Sequence, residues 1–99
     1  MDVKLVDRGE EGELILVGDL DTKTARDADA LFTQLSERFK DITLNMKDLE
    51  YVSSAGLRCI RNLYIKVSKN KGKLTITNVN ENVMEVFEMT GLAGLLNIR

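Results

Sequence analysis

Histidine is absent from the 99 residues, and so is proline. The first absence removes the commonest general base and the commonest metal ligand together. The second leaves the chain without a rigid proline-rich linker or docking motif. A single cysteine, Cys59, cannot form an internal disulfide and supplies too few soft ligands for a structural zinc site. With no signal-peptide pattern after Met1, the expected compartment is a reducing cytoplasm. No apolar run approaches the ~20 residues that span a bilayer, so no membrane insertion is expected. The formal net charge of −2 offers no general attraction for a polyanion, which argues against direct nucleic-acid binding. Neither a phosphate-loop nor a dinucleotide-type glycine motif occurs. Together these gaps argue against an enzyme, a resident metal or a cofactor.

What is present suits one compact domain over residues 1–99, with 43% hydrophobic residues for a single core. Val3-Lys4-Leu5-Val6 alternates weakly and Leu14-Ile15-Leu16-Val17 is continuously apolar, with Arg8-Gly9-Glu10-Glu11-Gly12 as the turn of an opening hairpin. Ala25, Ala28, Phe32, Leu35 and Phe39 then recur at the spacing of one helical face, with Asp21 as the natural N-cap. A strand over Ile42–Met46, a serine-bearing turn, a helix to about Asn70 and a strand over Leu74–Thr77 follow. A last helix runs from near Asn80 to Gly91, and Leu92 to Ile98 reads as an apolar tail on the core. Strands alternating with helices imply βαβ crossovers, hence an α/β fold whose four- or five-stranded sheet is mostly parallel after the hairpin, with three to four helices. Functional loops of such sheets gather at the carboxyl ends of strands, which selects the turn after Met46 and its neighbour after Val17.

The stretch from Asp48 to Arg58 carries the most information. Ser53 and Ser54 stand where a strand gives way to a helix, and a hydroxyl at a helix start sits beside free N–H groups and the positive end of the helix dipole. Such a hydroxyl carries or meets a phosphate at low cost, which suits a switch better than a catalyst. The bland reading is that one serine caps the helix and the other is only small and polar. At ~100° per residue, Leu57, Ile60, Leu63, Tyr64 and Val67 form the buried face with Cys59 on its edge. Ser54, Arg58, Arg61 and Ile65 share an outward stripe, which serves either a phosphate on Ser54, an acidic partner surface, or solvent alone.

Other features have simpler readings. Asp19 and Asp21 suit a turn and a cap better than a metal pair, and Lys66, Lys69, Lys71 and Lys73 complement a helix C-terminus. Glu81, Glu85 and Glu88 form a solvated face, and Met84 and Met89 read as core filler.

Asp48 at the end of a strand, a short apolar pair and then Ser53-Ser54-Ala55-Gly56-Leu57 opening a helix resemble the anti-sigma factor antagonist group of STAS domains. Gly18-Asp19-Leu20-Asp21 and Phe87-Glu88-Met89-Thr90-Gly91-Leu92 resemble that family's turns, so the likeness extends over nearly the whole chain. The resemblance implies that the serine two positions before Gly56, which is Ser54, is phosphorylated by an anti-sigma factor that is also a serine kinase. Ser53 stands where many relatives carry an acidic residue, and is the alternative acceptor. The implied cycle has the bare form binding the kinase and freeing a sigma factor, phosphorylation ending the complex, and a serine phosphatase resetting it. Partner contact then falls on Asp19, Asp21, Asp48, Ser53, Ser54, Gly56, Arg58, Arg61 and Ile65. Two other roles suit a stand-alone domain of this size: an accessory subunit of a membrane transporter, or a small nucleotide-binding domain.

Overall fold

The computed structural model describes residues 1–99. Strands β1 (Asp2–Asp7) and β2 (Glu11–Leu20) form the antiparallel hairpin, turned through Gly9 at φ +87°, a conformation that favours glycine. Helix α1 (Ala25–Arg38) leads to β3 (Asp41–Val52), and α2 (Ser54–Lys69) leads to β4 (Lys73–Thr77). Helix α3 (Glu81–Met89) and the one-turn α4 (Leu92–Leu95) lead to β5 (Asn97–Ile98). The strands lie in sequence order across one sheet, and every pair after the hairpin is parallel. This is the α/β architecture that the alternation of elements predicts.

One sheet face supplies the core. Leu14, Leu16 and Leu20 of β2, Ile42, Leu44 and Met46 of β3, and Leu74 and Ile76 of β4 meet Ala28, Phe32 and Leu35 of α1 and Ile60, Leu63 and Val67 of α2. On the opposite face the register aligns Glu13, Thr43, Thr75 and Asn97. Asn45 is buried there but satisfied: its amide donates to Glu13 at 3.1 Å, and its oxygen accepts from Asn78 at 3.1 Å.

The two central strands run past the limits expected from alternation. Inward residues of β3 continue as Met46, Leu49 and Val52, three apart rather than two. Register shifts between Ile15 and Val17 and between Gly18 and Asp19 let the 12 residues of β3 pair with the 10 of β2. Such bulges keep apolar side chains inward while breaking the period of two. Asp48 is therefore a residue within β3, paired with Val17, and not the end of a strand. The loops at the carboxyl edge instead follow Leu20 and Val52, which are themselves partners.

Smaller expectations are corrected as well. Helix α1 begins at Ala25 after Thr24, which makes no side-chain cap bond. Asp21 instead caps the preceding turn, its Oδ1 accepting the N–H groups of Lys23 at 3.0 Å and Thr24 at 3.2 Å. Cys59 is buried rather than on an edge, because α1 covers that side of α2; its thiol donates to the Ala25 carbonyl at 3.2 Å. The segment after Gly91 is not a simple tail, since it forms α4 and pairs as β5. Met89, at the end of α3, is 79% exposed and fills no core.

The start of α2 sits against the end of β2. A Cβ placed on Gly56 would lie 2.5 Å from the Leu20 carbonyl oxygen and 2.8 Å from its Cγ. Gly56→Ala is expected to destabilise the fold by about 1 to 3 kcal/mol, the usual cost of overpacking. Urea denaturation would read this as a lower midpoint at unchanged slope.

Candidate functional site

Ser53 is the single residue between β3 and α2. Its backbone is extended, at φ −89° and ψ 174°, and its N–H donates to the Leu20 carbonyl at 2.9 Å. Its Oγ accepts the Gly56 N–H at 3.2 Å, so Ser53 is the N-cap of α2. Ser54 is the first helical residue, exposed, and its hydroxyl bonds to no other group of the chain. The two serines thus divide two tasks, one holding the helix start and one facing outward.

Ser54, Leu57, Arg58 and Arg61 form one wall of an open depression of about 390 Å³. Thr90, Gly91, Leu92 and Leu95 form the other, carried there by Gly91, whose φ of +82° turns the chain from α3 into α4. The molecule's ion pairs are Arg8 with Glu13 and Arg38 with Asp7, so Arg58 and Arg61 have no carboxylate partner.

The structure gathers only part of the expected site. Ile65 is half-buried further along α2 and does not line the depression. Gly56 is buried and acts through packing. Asp19 is exposed on β2, where its carbonyl accepts the Thr24 hydroxyl at 3.1 Å. Asp21 is held below the ordinary carboxyl pKa, first by the Thr24 N–H, which outweighs the opposing effect of burial, and then by the N–H of Lys23. Asp48 lies four residues before Val52, roughly 13 Å along the strand. It shares a separate hollow with Val17, Lys47 and Asn80.

The wall from Thr90 to Leu95 was not among the expected site residues. Its signals in the sequence are a helix-ending glycine followed by leucines and the likeness of Phe87–Leu92 to the family's closing turn, neither of which marks it as part of the site. A neighbouring hollow of about 370 Å³ includes Tyr51, Val86 and Met89, with Tyr51 55% exposed. Tyr51 escapes the alternation rule because it follows the second bulge of β3.

No group of three or more acidic or thiol side chains is placed to hold a metal ion. Burial, with Asp29 nearby, pushes the Cys59 thiol up, which disfavours the reactive thiolate. No helix is long and apolar enough to cross a membrane.

A protein-family model covers almost the whole chain. The model for the STAS domain matches residues 5–99. The chain belongs to the STAS family. Over 83 residues this STAS domain is 28% identical to the anti-sigma-B factor antagonist of Bacillus subtilis (strain 168), covering 84% of this chain and 76% of that one. The anti-sigma-factor antagonist (STAS) domain protein from Planctomyces limnophilus shares the fold at a TM-score of 0.88 and 10% identity, over 99% of this chain and 89% of that one. SpoIIAA, a Bacillus cell fate determinant, shares it in both its unphosphorylated form (TM-score 0.79, 16% identity, 99% of this chain and 87% of that one) and its phosphorylated form (0.78, 18%, 99% and 91%).

The division of labour between the serines is measurable in this STAS domain. Ser53→Ala removes a cap and should cost about 1 kcal/mol of stability. Ser54→Ala, at an exposed and unbonded position, should stay within about 0.5 kcal/mol of the parent. Equal losses in urea denaturation would show that the cap is wrongly assigned.

Proposed function

We propose that this STAS domain is an anti-sigma factor antagonist that switches partners through phosphorylation of Ser54. The observation that carries the reading is the exposed, unbonded hydroxyl of Ser54 beside Arg58 and Arg61, in a chain similar over most of its length to an anti-sigma-B factor antagonist. In the bare form the domain binds an anti-sigma factor that is also a serine kinase, and a sigma factor is released. The kinase holds ATP and magnesium and transfers the terminal phosphoryl group to Ser54 Oγ. A serine phosphatase restores the hydroxyl. The domain itself contributes a binding surface and an acceptor in the cytoplasm, without turnover of its own.

Ser54 is a better acceptor than Ser53 on physical grounds. Modifying Ser53 would turn the oxygen that caps α2 into the bridging ester oxygen of a phosphate, a poorer acceptor, and force a bulky dianion into a half-buried turn. A phosphoryl group on Ser54 has room in the open depression beside it. It adds about −1.5 to −2 charges at neutral pH. Dissociating a regulatory complex takes only a few kcal/mol of differential affinity, so repulsion at the interface suffices without refolding.

Incubation with the cognate kinase and ATP should add one phosphate, placed on Ser54 by mass spectrometry. Ser54→Ala should then hold the kinase persistently. Modification at Ser53, or none at all, would defeat the assignment, and capture of transporter subunits in place of a kinase would favour the accessory-subunit role.

The outward stripe of α2 is expected to lie in the interface. Arg58→Glu or Ile65→Glu should weaken the kinase complex by about 1 to 3 kcal/mol, with circular dichroism unchanged. Titration calorimetry giving parental affinity for both variants would remove this helix face from the contact.

A further inference from the structure

The depression beside Ser54 presents two cations and no anion. Both of its cationic side chains, Arg58 and Arg61, lack a carboxylate or hydrogen-bonding partner in the chain, and no acidic residue lines the walls. Arg8 pairs with Glu13 and Arg38 with Asp7, whereas Arg26 and Arg99 also lack a carboxylate partner; what sets Arg58 and Arg61 apart is that both line one depression together with Ser54.

On α2, Arg58 and Arg61 stand four and seven residues beyond Ser54, within ~60° of one another around the axis. Side chains on a helix lean toward its N-terminus, so both guanidiniums lean toward Ser54. An anion N-terminal to a cation at a spacing of four is also the more favourable order for a helical pair. Leu57, Leu92 and Leu95 supply apolar lining, which displaces water and strengthens an ion pair formed above it. The hydroxyl of Thr90 is already committed to the Val86 carbonyl at 2.8 Å, so the far wall contributes shape while the arginines contribute the donors.

We infer that this depression is an intramolecular phosphate latch, in which the phosphoryl group on Ser54 is held by the guanidinium groups of Arg58 and Arg61 of the same molecule. The inference rests on Ser54 being the phosphorylated residue. Phosphorylation then does two things at once: it adds a dianion, and it withdraws from the surface the two cations that the bare form presents to an acidic partner. Arg58 serves as the closer, bidentate ligand and Arg61 as a second charge one turn further along.

The test uses the full chain carrying phosphoserine at position 54, incorporated during translation so that no kinase is required. Phosphorus NMR follows its second ionisation, ordinarily near pH ~6. The helix start lowers this value in every variant, so the latch is read from the difference between proteins. The pKa should be about half a unit or more lower in the otherwise unaltered protein than in the Arg58→Gln, Arg61→Gln double variant. Arg58→Lys, which keeps the charge and loses the fork, should retain part of the shift. Identical titrations in the parent and double variant overturn the latch. So does a double substitution that weakens the bare protein's partner complex while leaving the phosphoserine titration unmoved, because it assigns the arginines to a partner's acidic groups. A kinase that ignores Ser54 would instead refute the phosphorylation reading, with the titration difference standing apart from it.

Discussion

The carbonyl of Leu20 is the point on which the functional end of the molecule depends. It accepts the Ser53 N–H at 2.9 Å, and it leaves no room for a side chain on Gly56. A hydrogen bond of this kind contributes only about 1 kcal/mol net, yet its geometry sets where α2 begins relative to the sheet. With that start in place, Leu57, Ile60, Leu63 and Val67 fall onto the core, and Ser54 is left outside it. Moving the helix start by one residue would rotate all of these by ~100° and take the apolar face off the sheet.

The site is therefore rigid where it is built and open where it acts. Ser53 closes the helix start through its own oxygen, so Ser54 need not be held by any neighbour. Around it the bare surface combines two unpaired guanidiniums with exposed apolar groups, Leu95 on the same depression and Tyr51 and Met89 in the neighbouring hollow. A surface of that kind is sensitive to one dianion. On the proposed reading, added charge repels an acidic partner directly and competes for the cations that would have met that partner.

The bulges of β3 give this arrangement its reach. Without them, a strand alternating strictly from Ile42 would turn Leu49 and its neighbours to the wrong face, and β3 would have to end near Met46. With them, the strand continues to Val52 and delivers the serines to the level of Leu20. Asp48 is left partway along the strand, in a hollow separate from the depression beside Ser54. It shares a sequence motif with Ser54 and not a location.

Much of this protein could be read from the order of its residues alone. Local periodicity determines the hairpin, the helical faces of α1 and α2 and the mostly parallel sheet, because burial of one face imposes a period that a single chain displays. The Ser53-Ser54-Ala55-Gly56 run likewise marks a helix start, since capping is settled within one turn. Tertiary structure decided what depends on contacts between distant segments. The bulges appear only when β2 and β3 are laid side by side, and Cys59 is buried only because α1 covers it. The wall from Thr90 to Leu95 meets Ser54 only after the chain has crossed two further elements. No period within one segment records such meetings, because they are set by where separately folded pieces come to rest against each other.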